Sequence, residues 1–248
     1  MLVTIDIGNS NIVIGLPQGT DFEVHRYRTD LLKSSDEYYV LLKEHFKGAR
    51  GIIISSVVPT LNEVFTTFID RYVTVPCLWI GPGIKTGIKI VTENPKEVGA
   101  DLVAAAAGVV ASGHDHAIIV DGGTATTITL MIDKEIKGVA ISIGLDTARA
   151  CLIDRASKLS SFAFEIPQSV LGNTTHTALN TGFLYGHVFM IEGFIRKLTA
   201  QYPHHTLPVY LTGGVARLLT PLFEEDILYD ETLLLKGLQA IYHKNTLN

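Results

Sequence analysis

The sequence is short of charge. Asp, Glu, Lys and Arg make up 18% of its 248 residues, where about 25% is usual for a soluble domain. Runs of basic residues are absent, and 20 Lys and Arg against 25 Asp and Glu leave a formal charge of -5. A nucleic acid or an acidic membrane surface is thereby excluded as the main partner. Cysteine is scarce: Cys77 and Cys151 stand alone, with no CxxC pair and no metal-ligand spacing. They read as reduced, mostly packed thiols of a cytoplasmic protein. Long apolar runs are missing too. The longest stretch free of charged or strongly polar residues, Leu102–Ala111, is half of the roughly 20 residues a membrane span needs. Asp6 interrupts the apolar start Met1-Leu2-Val3-Thr4-Ile5, which reads as no secretory leader.

What is present is a large apolar fraction, 47% of residues, enough to bury a core and to exclude disorder as a class. The pattern predicts strands over Leu2–Ile7, Ile12–Leu16 and Phe22–Tyr27, a helix over Ser35–Phe46, a strand over Gly51–Val58, and a helix over Leu61–Tyr72. Further strands are expected over Cys77–Ile80 and Gly87–Thr92, then an Ala/Val helix from Leu102. Strand character returns over Ala117–Asp121, Ala125–Ile132 and Ile136–Ile143. Helices over Asp146–Lys158 and Asn173–Gln201, a strand over Pro208–Thr212 and a helix over Thr232–His243 complete an α/β pattern.

An internal repeat organises this pattern. Val3-Thr4-Ile5-Asp6-Ile7-Gly8-Asn9-Ser10-Asn11 aligns without gaps on Ile118-Ile119-Val120-Asp121-Gly122-Gly123-Thr124-Ala125-Thr126, and both copies run on into a second apolar strand. The offset, 121 − 6 = 115, is close to half the chain and points to a duplicated domain, with halves 1–114 and 115–248. Small residues at such turns let the backbone approach a ligand, and their N–H groups form an anion-binding concavity. Asn9, Ser10, Asn11, Thr124, Thr126 and Thr127 add neutral donors that suit phosphate oxygens, while Asp6 and Asp121 could hold a cation directly or through water. A third glycine turn, Leu211-Thr212-Gly213-Gly214, follows a strand and could receive a nucleoside. Each turn alone is an ordinary hairpin turn; together they favour two α/β halves around a nucleotide cleft.

These residues carry a family resemblance. Asp6-x-Gly-Asn-Ser-Asn, Gly99-Ala100-Asp101, Asp121-Gly-Gly-Thr-Ala-Thr-Thr127 and Thr212-Gly-Gly resemble, in order and spacing, the motifs of type III pantothenate kinases. So do Asp36-Glu37-Tyr38, Ile54-Ser55-Ser56-Val57-Val58-Pro59, Asn94-Pro95-x-Glu97-Val98 and Leu233-x-Leu235-Lys236-Gly237-Leu238. The resemblance implies a duplicated ribonuclease-H-like fold of the acetate/sugar kinase–Hsp70–actin superfamily. It further implies a homodimer that phosphorylates pantothenate with ATP in coenzyme A synthesis, using Mg2+ and a monovalent cation (K+ or NH4+). By position, Asp6, Gly8, Asn9, Ser10, Asn11 and Val13 would cradle ATP phosphates, with Thr124, Gly213 and Gly214 completing the ATP contacts. Asp6 would also serve Mg2+, Asp121 the monovalent cation, and Asp101 would be the catalytic base. Thr92, Gly99, Ala100, Leu102 and Thr174 fall at substrate positions. Asp101 also reads as the N-cap of the helix that follows, whose N-terminus would keep its carboxylate ionised.

The departures concentrate on the acceptor side. Leu102 stands where the family has a pantothenate-contacting Arg, and Thr92 where it has a Tyr. Ile143-Gly144 replaces Pro-Gly, and Ala156-Ser157-Lys158-Leu159-Ser160 replaces a Thr-Ala-Lys-Leu-Pro segment. Losing one partner of a buried charge pair costs about 2–5 kcal/mol, so an uncompensated Leu102 would weaken pantothenate binding roughly 30-fold to several thousand-fold. Three readings stay open: another cation (Arg149, Arg155 or Lys158) substitutes; a different small alcohol is the acceptor; or the chain binds nucleotide and acts through a protein partner with little catalysis. His114-Asp115-His116 and His204-His205 read as exposed loops, since no third ligand shares their spacing. Phe183, Tyr185, Phe189 and Phe194 lie along one helix and read as packing, within the core or across a dimer.

Overall fold

The computed structural model describes residues 1–156 and 161–246. It divides into two compact units, Met1–His114 with the segment from Thr232 onward, and Asp115–Glu231. The first unit contains β1 (Leu2–Ile7), β2 (Asn11–Gln18), β3 (Asp21–Arg28), α1 (Ser35–Leu42), β4 (Gly51–Ser56), α2 (Pro59–Tyr72), β5 (Cys77–Trp79), β6 (Lys89–Ile90) and α3 (Ala100–Ala111). The second contains β7 (Ala117–Gly122), β8 (Ala125–Ile132), β9 (Glu135–Ile143), α4 (Leu145–Arg155), α5 (Thr175–Gln201), β10 (Val209–Thr212), α6 (Ala216–Leu219) and β11 (Ile227–Tyr229). The closing helix, α7 (Leu233–Thr246), belongs with the first.

The sheet of the first unit runs β3-β2-β1-β4-β5, and the second repeats it as β11-β10-β7-β8-β9 read in reverse. In each, the first three strands form an antiparallel meander and the last two add in parallel beside the first. The two units thus repeat one five-strand order with the same parallel and antiparallel pairings. The copies differ at the turn. The first hairpin closes with Ile7 opposite Ile12, the second with Gly122 opposite Thr126, so the second turn is one residue shorter.

Period-two alternation decides what covers each face. Val3, Ile5 and Ile7 of β1 and Ile52 and Ile54 of β4 face a core with Tyr38, Leu42, Leu61, Phe65 and Phe68 from α1 and α2. On the opposite face Ile53 packs with Ala104 and Ala107 of α3 and Leu235, Leu238 and Ile241 of α7. An alanine-rich helix offers little side-chain volume, and α7 supplies the rest. This placement corrects the expected division at residue 115, which put the last helix in the second half. The two helices approach closely because Gly108 and Gly237 leave room for backbone: a Cβ on Gly237 would lie 2.7 Å from the Gly108 nitrogen. In the second unit, Ile118, Val120, Ile128 and Leu130 of the sheet pack with Leu184, Val188, Ile191 and Ile195 of α5.

Several boundaries move for local reasons. Helix α1 starts with a capping box in which Ser34 and Glu37 satisfy each other's backbone N–H. It tightens to a 3-10 turn over Lys43–Phe46, where Phe46 meets Phe68 edge-on. Pro59 starts α2 two residues earlier than the apolar spacing suggests, because its fixed φ suits the first helical position. Strand β6 is shorter than the expected Gly87–Thr92, and β11 and α6 were not anticipated. The expected helix to Lys158 ends at Arg155; Ser157, Lys158, Leu159 and Ser160 lie outside the described residues. Cys77 is half-buried, its thiol pushed up to about 12 by burial. Cys151 is exposed, contrary to the expectation of two packed thiols.

Candidate active site

In the first unit, the site residues collect where parallel strands β1 and β4 end. Asp6 sits opposite Val13 in the hairpin and in register with Ser55 of β4. The turn beyond it is pinned from both sides. The Gly8 N–H donates to Asn11 O (2.9 Å), the Thr29 N–H to Ser10 O (3.0 Å), and Thr29 Oγ1 to Gly8 O (2.6 Å). A Cβ on Gly8 would lie 3.1 Å from Asn11 O, so a larger residue there would push the turn open by a few tenths of an ångström. Asn9, Ser10 and Asn11 are exposed, and Gly8 and Val13 are half-buried. Thr29 was missed in sequence: it lies just past β3, remote from the motif it clamps.

The strand ends and the start of α3 come together through one loop. The Val57 N–H donates to Ile7 O (3.0 Å), and Val57 Cγ1 stands 3.4 Å from where a Gly99 Cβ would be. The Asp101 carboxylate also folds back over Gly99, so a side chain there would displace it. Gly99, not Asp101, is the N-cap of α3. Asp101 lies in the first turn, where Oδ1 accepts from the Leu102 N–H at 2.8 Å. Burial pushes its pKa above the ordinary value of 3.8, outweighing the backbone N–H groups of Leu102 and Asp101 that lower it. The N–H groups at the helix end favour the ionised carboxylate, as expected, and burial opposes them. Ala100 is half-buried and Leu102 is buried at 8% exposure. Thr92 is half-buried with Oγ1 enclosed and without a hydrogen-bond partner.

The second unit builds a matching turn. Asp121, one residue before the end of β7, lies opposite Thr127 and in register with Thr212 of β10. Gly213 has φ +98°, and a Cβ there would be 2.5 Å from both Asp121 Oδ1 and Gly122 O, so only glycine brings the turn this close. Gly214 faces open space. The Thr124 carbonyl accepts from the Gly144 N–H (3.1 Å) and Thr147 Oγ1 (2.8 Å). Thr126 Oγ1 is 2.7 Å from His187 Nε2 of α5, and burial lowers the His187 pKa below 6.5. Neither His187 nor Thr147 was anticipated, since nothing local marks them. Thr174 is the N-cap of α5, with its hydroxyl engaged by Thr177 in a capping box. Of the candidate replacement cations, Arg149 is committed: it pairs with Asp146 (2.7 Å), donates to Phe162 O (3.2 Å) and lies 4.6 Å over the Phe164 ring. Arg155 is exposed, and Lys158 lies outside the described residues.

Both carboxylate turns fit a nucleotide with its metal. Each offers one aspartate at a strand end beside a glycine turn whose backbone can approach a ligand. Among the described residues no group of three or more His, Cys, Asp or Glu could hold a metal alone. Mg2+ characteristically uses one or two carboxylates and completes its shell from phosphates and water, so the donor set agrees with that ion. His116 and His205 are brought together, rings 4.8 Å apart, without becoming such a group. Among the described residues no helix is long and apolar enough to cross a membrane.

Comparison with known proteins bears on this arrangement. The family model for type III pantothenate kinase matches residues 2–197. A type III pantothenate kinase of Brevibacillus brevis is 40% identical over 99% of this chain and 99% of its own length. One of Moorella thermoacetica is 37% identical over 99% of this chain and 100% of its own. Among solved structures, one from Sinorhizobium meliloti, provisionally named a 2-dehydro-3-deoxygalactonokinase, covers 100% of both chains with a TM-score of 0.65 at 12% identity. That likeness, with the repeated strand order, identifies the fold as the duplicated ribonuclease-H-like, actin-like ATPase fold.

Proposed function

The chain belongs to the type III pantothenate kinase family, and from this premise we infer that it transfers the γ-phosphoryl group of ATP to the hydroxyl of pantothenate, the first step of coenzyme A synthesis. The carrying observation is the full-length kinship at 40% identity. The geometry supports it by grouping a glycine turn and two carboxylates at the ends of β1 and β4, where open α/β sheets bind ligands.

In this reading Gly8, Asn9, Ser10, Asn11 and Val13 hold the phosphates, with Thr124 as a second contact and Gly213 and Gly214 toward the nucleoside. Asp101 receives the hydroxyl proton as the substrate oxygen bonds to the γ-phosphorus and the bridging bond to ADP breaks. A carboxylate with raised proton affinity suits that role better than an ordinary surface aspartate. Asp6 holds Mg2+, directly or through water, and the ion when bound neutralises phosphate charge. Asp121 holds the monovalent cation, K+ or NH4+. Positioning and charge neutralisation supply most of phosphoryl-transfer catalysis, so one base suffices. Thr92, Gly99, Ala100, Leu102 and Thr174 border the acceptor. The protein acts in the cytoplasm as a homodimer joined through α5, where Phe189 and Phe194 are exposed; a monomeric mass in solution would overturn that pairing.

Asp101→Asn tests the chemistry. Turnover of pantothenate with ATP, Mg2+ and K+ should fall at least 100-fold, while ATP binding persists. Undiminished turnover would remove Asp101 from the mechanism. A second reading rests on Leu102 and on the commitment of Arg149: the acceptor is another small alcohol. Turnover of such an alcohol, but not of pantothenate, would establish it.

A further inference from the structure

The stretch Ile54-Ser55-Ser56-Val57-Val58-Pro59 contains two serines with different fates. Ser56 Oγ is 2.7 Å from Asn62 Oδ1 and accepts from the Val58 N–H, which sets the entry to α2. Ser55 does neither. It is wholly buried in β4, and its Oγ has no hydrogen-bond partner. A buried hydroxyl left unsatisfied is destabilising, and such groups are few in native proteins.

Its position is informative. Ser55 is in register with Asp6 across the parallel β1–β4 pair, and neighbouring strands lie about 4.8 Å apart. Alternation puts both side chains on the face that carries Ile53, the face covered by α3 and α7. The enclosed hydroxyl thus stands beside Asp6, one residue before the end of β1. In the second unit the position equivalent to Ser55 is Thr212, in register with Asp121, while the enclosed hydroxyl without a partner beside that aspartate is Thr127, on the hairpin strand opposite it.

We propose that Ser55 is a positioning residue for the divalent cation that accompanies the nucleotide: its Oγ accepts a hydrogen bond from a water of the hydrated ion held at Asp6. This rests on the ATP-binding reading above and adds to it a residue that touches neither phosphate nor acceptor. A water bound to Mg2+ is a strong donor and needs an acceptor, which the orphaned Oγ supplies; the ion keeps several such waters.

The test is calorimetric titration of ATP into the full-length protein, once with Mg2+ and once with EDTA, for the wild type, Ser55→Ala and Ser55→Cys. Alanine removes the oxygen, and cysteine keeps the volume with a much poorer acceptor. In both variants the affinity gained on adding Mg2+ should shrink by about 3- to 10-fold, the scale of one hydrogen bond, while metal-free ATP affinity stays unchanged. Unchanged Mg2+-dependent affinity in both variants overturns the proposal. So does an equal loss with and without Mg2+, which marks a purely structural role. Wild-type protein that binds no ATP under either condition overturns the underlying nucleotide reading as well, and so separates the two failures.

Discussion

Replacing Gly237 by alanine sets two physical effects against each other, and their signs differ. Gly237 lies within α7, where alanine is favoured by about 0.8–1 kcal/mol on helix propensity. Packing opposes this. An added Cβ would sit 2.7 Å from the Gly108 nitrogen and 2.8 Å from the Ala104 carbonyl carbon, and closer still to the Ala104 oxygen. All of these are backbone atoms of α3, so the helices themselves must separate. Leu235, Leu238 and Ile241, each at most 3% exposed, are what α7 brings to this core. Full burial of three such side chains contributes roughly 4.5–9 kcal/mol. A radial gap of 0.5–1 Å forfeits about a quarter to a half of the contact energy, or roughly 1–4 kcal/mol. After the propensity gain, Gly237→Ala should be destabilised by a few tenths to about 3 kcal/mol, lowering Tm by roughly 1–12 °C for a chain of this size. Thermal unfolding followed by circular dichroism measures it. A Tm equal to or above that of the wild type would refute the packing argument, since propensity would then be acting alone.

Two further predictions follow from the site. His187 is held neutral by burial, with its pKa below the ordinary 6.5. The unfolded chain therefore binds the extra proton first, and stability should fall as pH drops below about 6.5, down to the folded-state value; His187→Gln should flatten that part of a Tm-against-pH curve, and an unaltered slope would sink the assignment. Leu102→Arg tests the proposed acceptor border by putting a cation there, with the side-chain stem lying where Leu102 is now. The KM for pantothenate should fall by about 10-fold or more, as regaining a charged hydrogen bond allows, and no gain would show that Leu102 is not the cause of the altered acceptor side.

The local form of the aspartate and glycine turns was legible in the sequence. Asp6 with its glycine turn, Asp121 with its own, and the Thr212-Gly213-Gly214 turn depend on residues adjacent in the chain, and their chemistry is written locally. The roles of neighbours were not. Thr29 clamps the first turn from beyond β3, and His187 reaches Thr126 from a helix 61 residues away. Asp101 was visible as an acid at the start of a helix, but that pattern suggested a cap; Gly99 takes that position and leaves Asp101 inside the first turn.

The sequence by itself determined the duplicated α/β plan, because a repeated Asp–turn motif and alternating apolar periods are properties of short segments. It also determined which turns need glycine. Tertiary structure alone decided that α7 returns to the first unit, that the Asp101 carboxyl is held above its ordinary pKa, that Arg149 is occupied, and that the Ser55 hydroxyl is enclosed beside Asp6. The physical reason is common to all four. Desolvation and pairing are set by what packs against a group, and those partners come from elements far away in the chain.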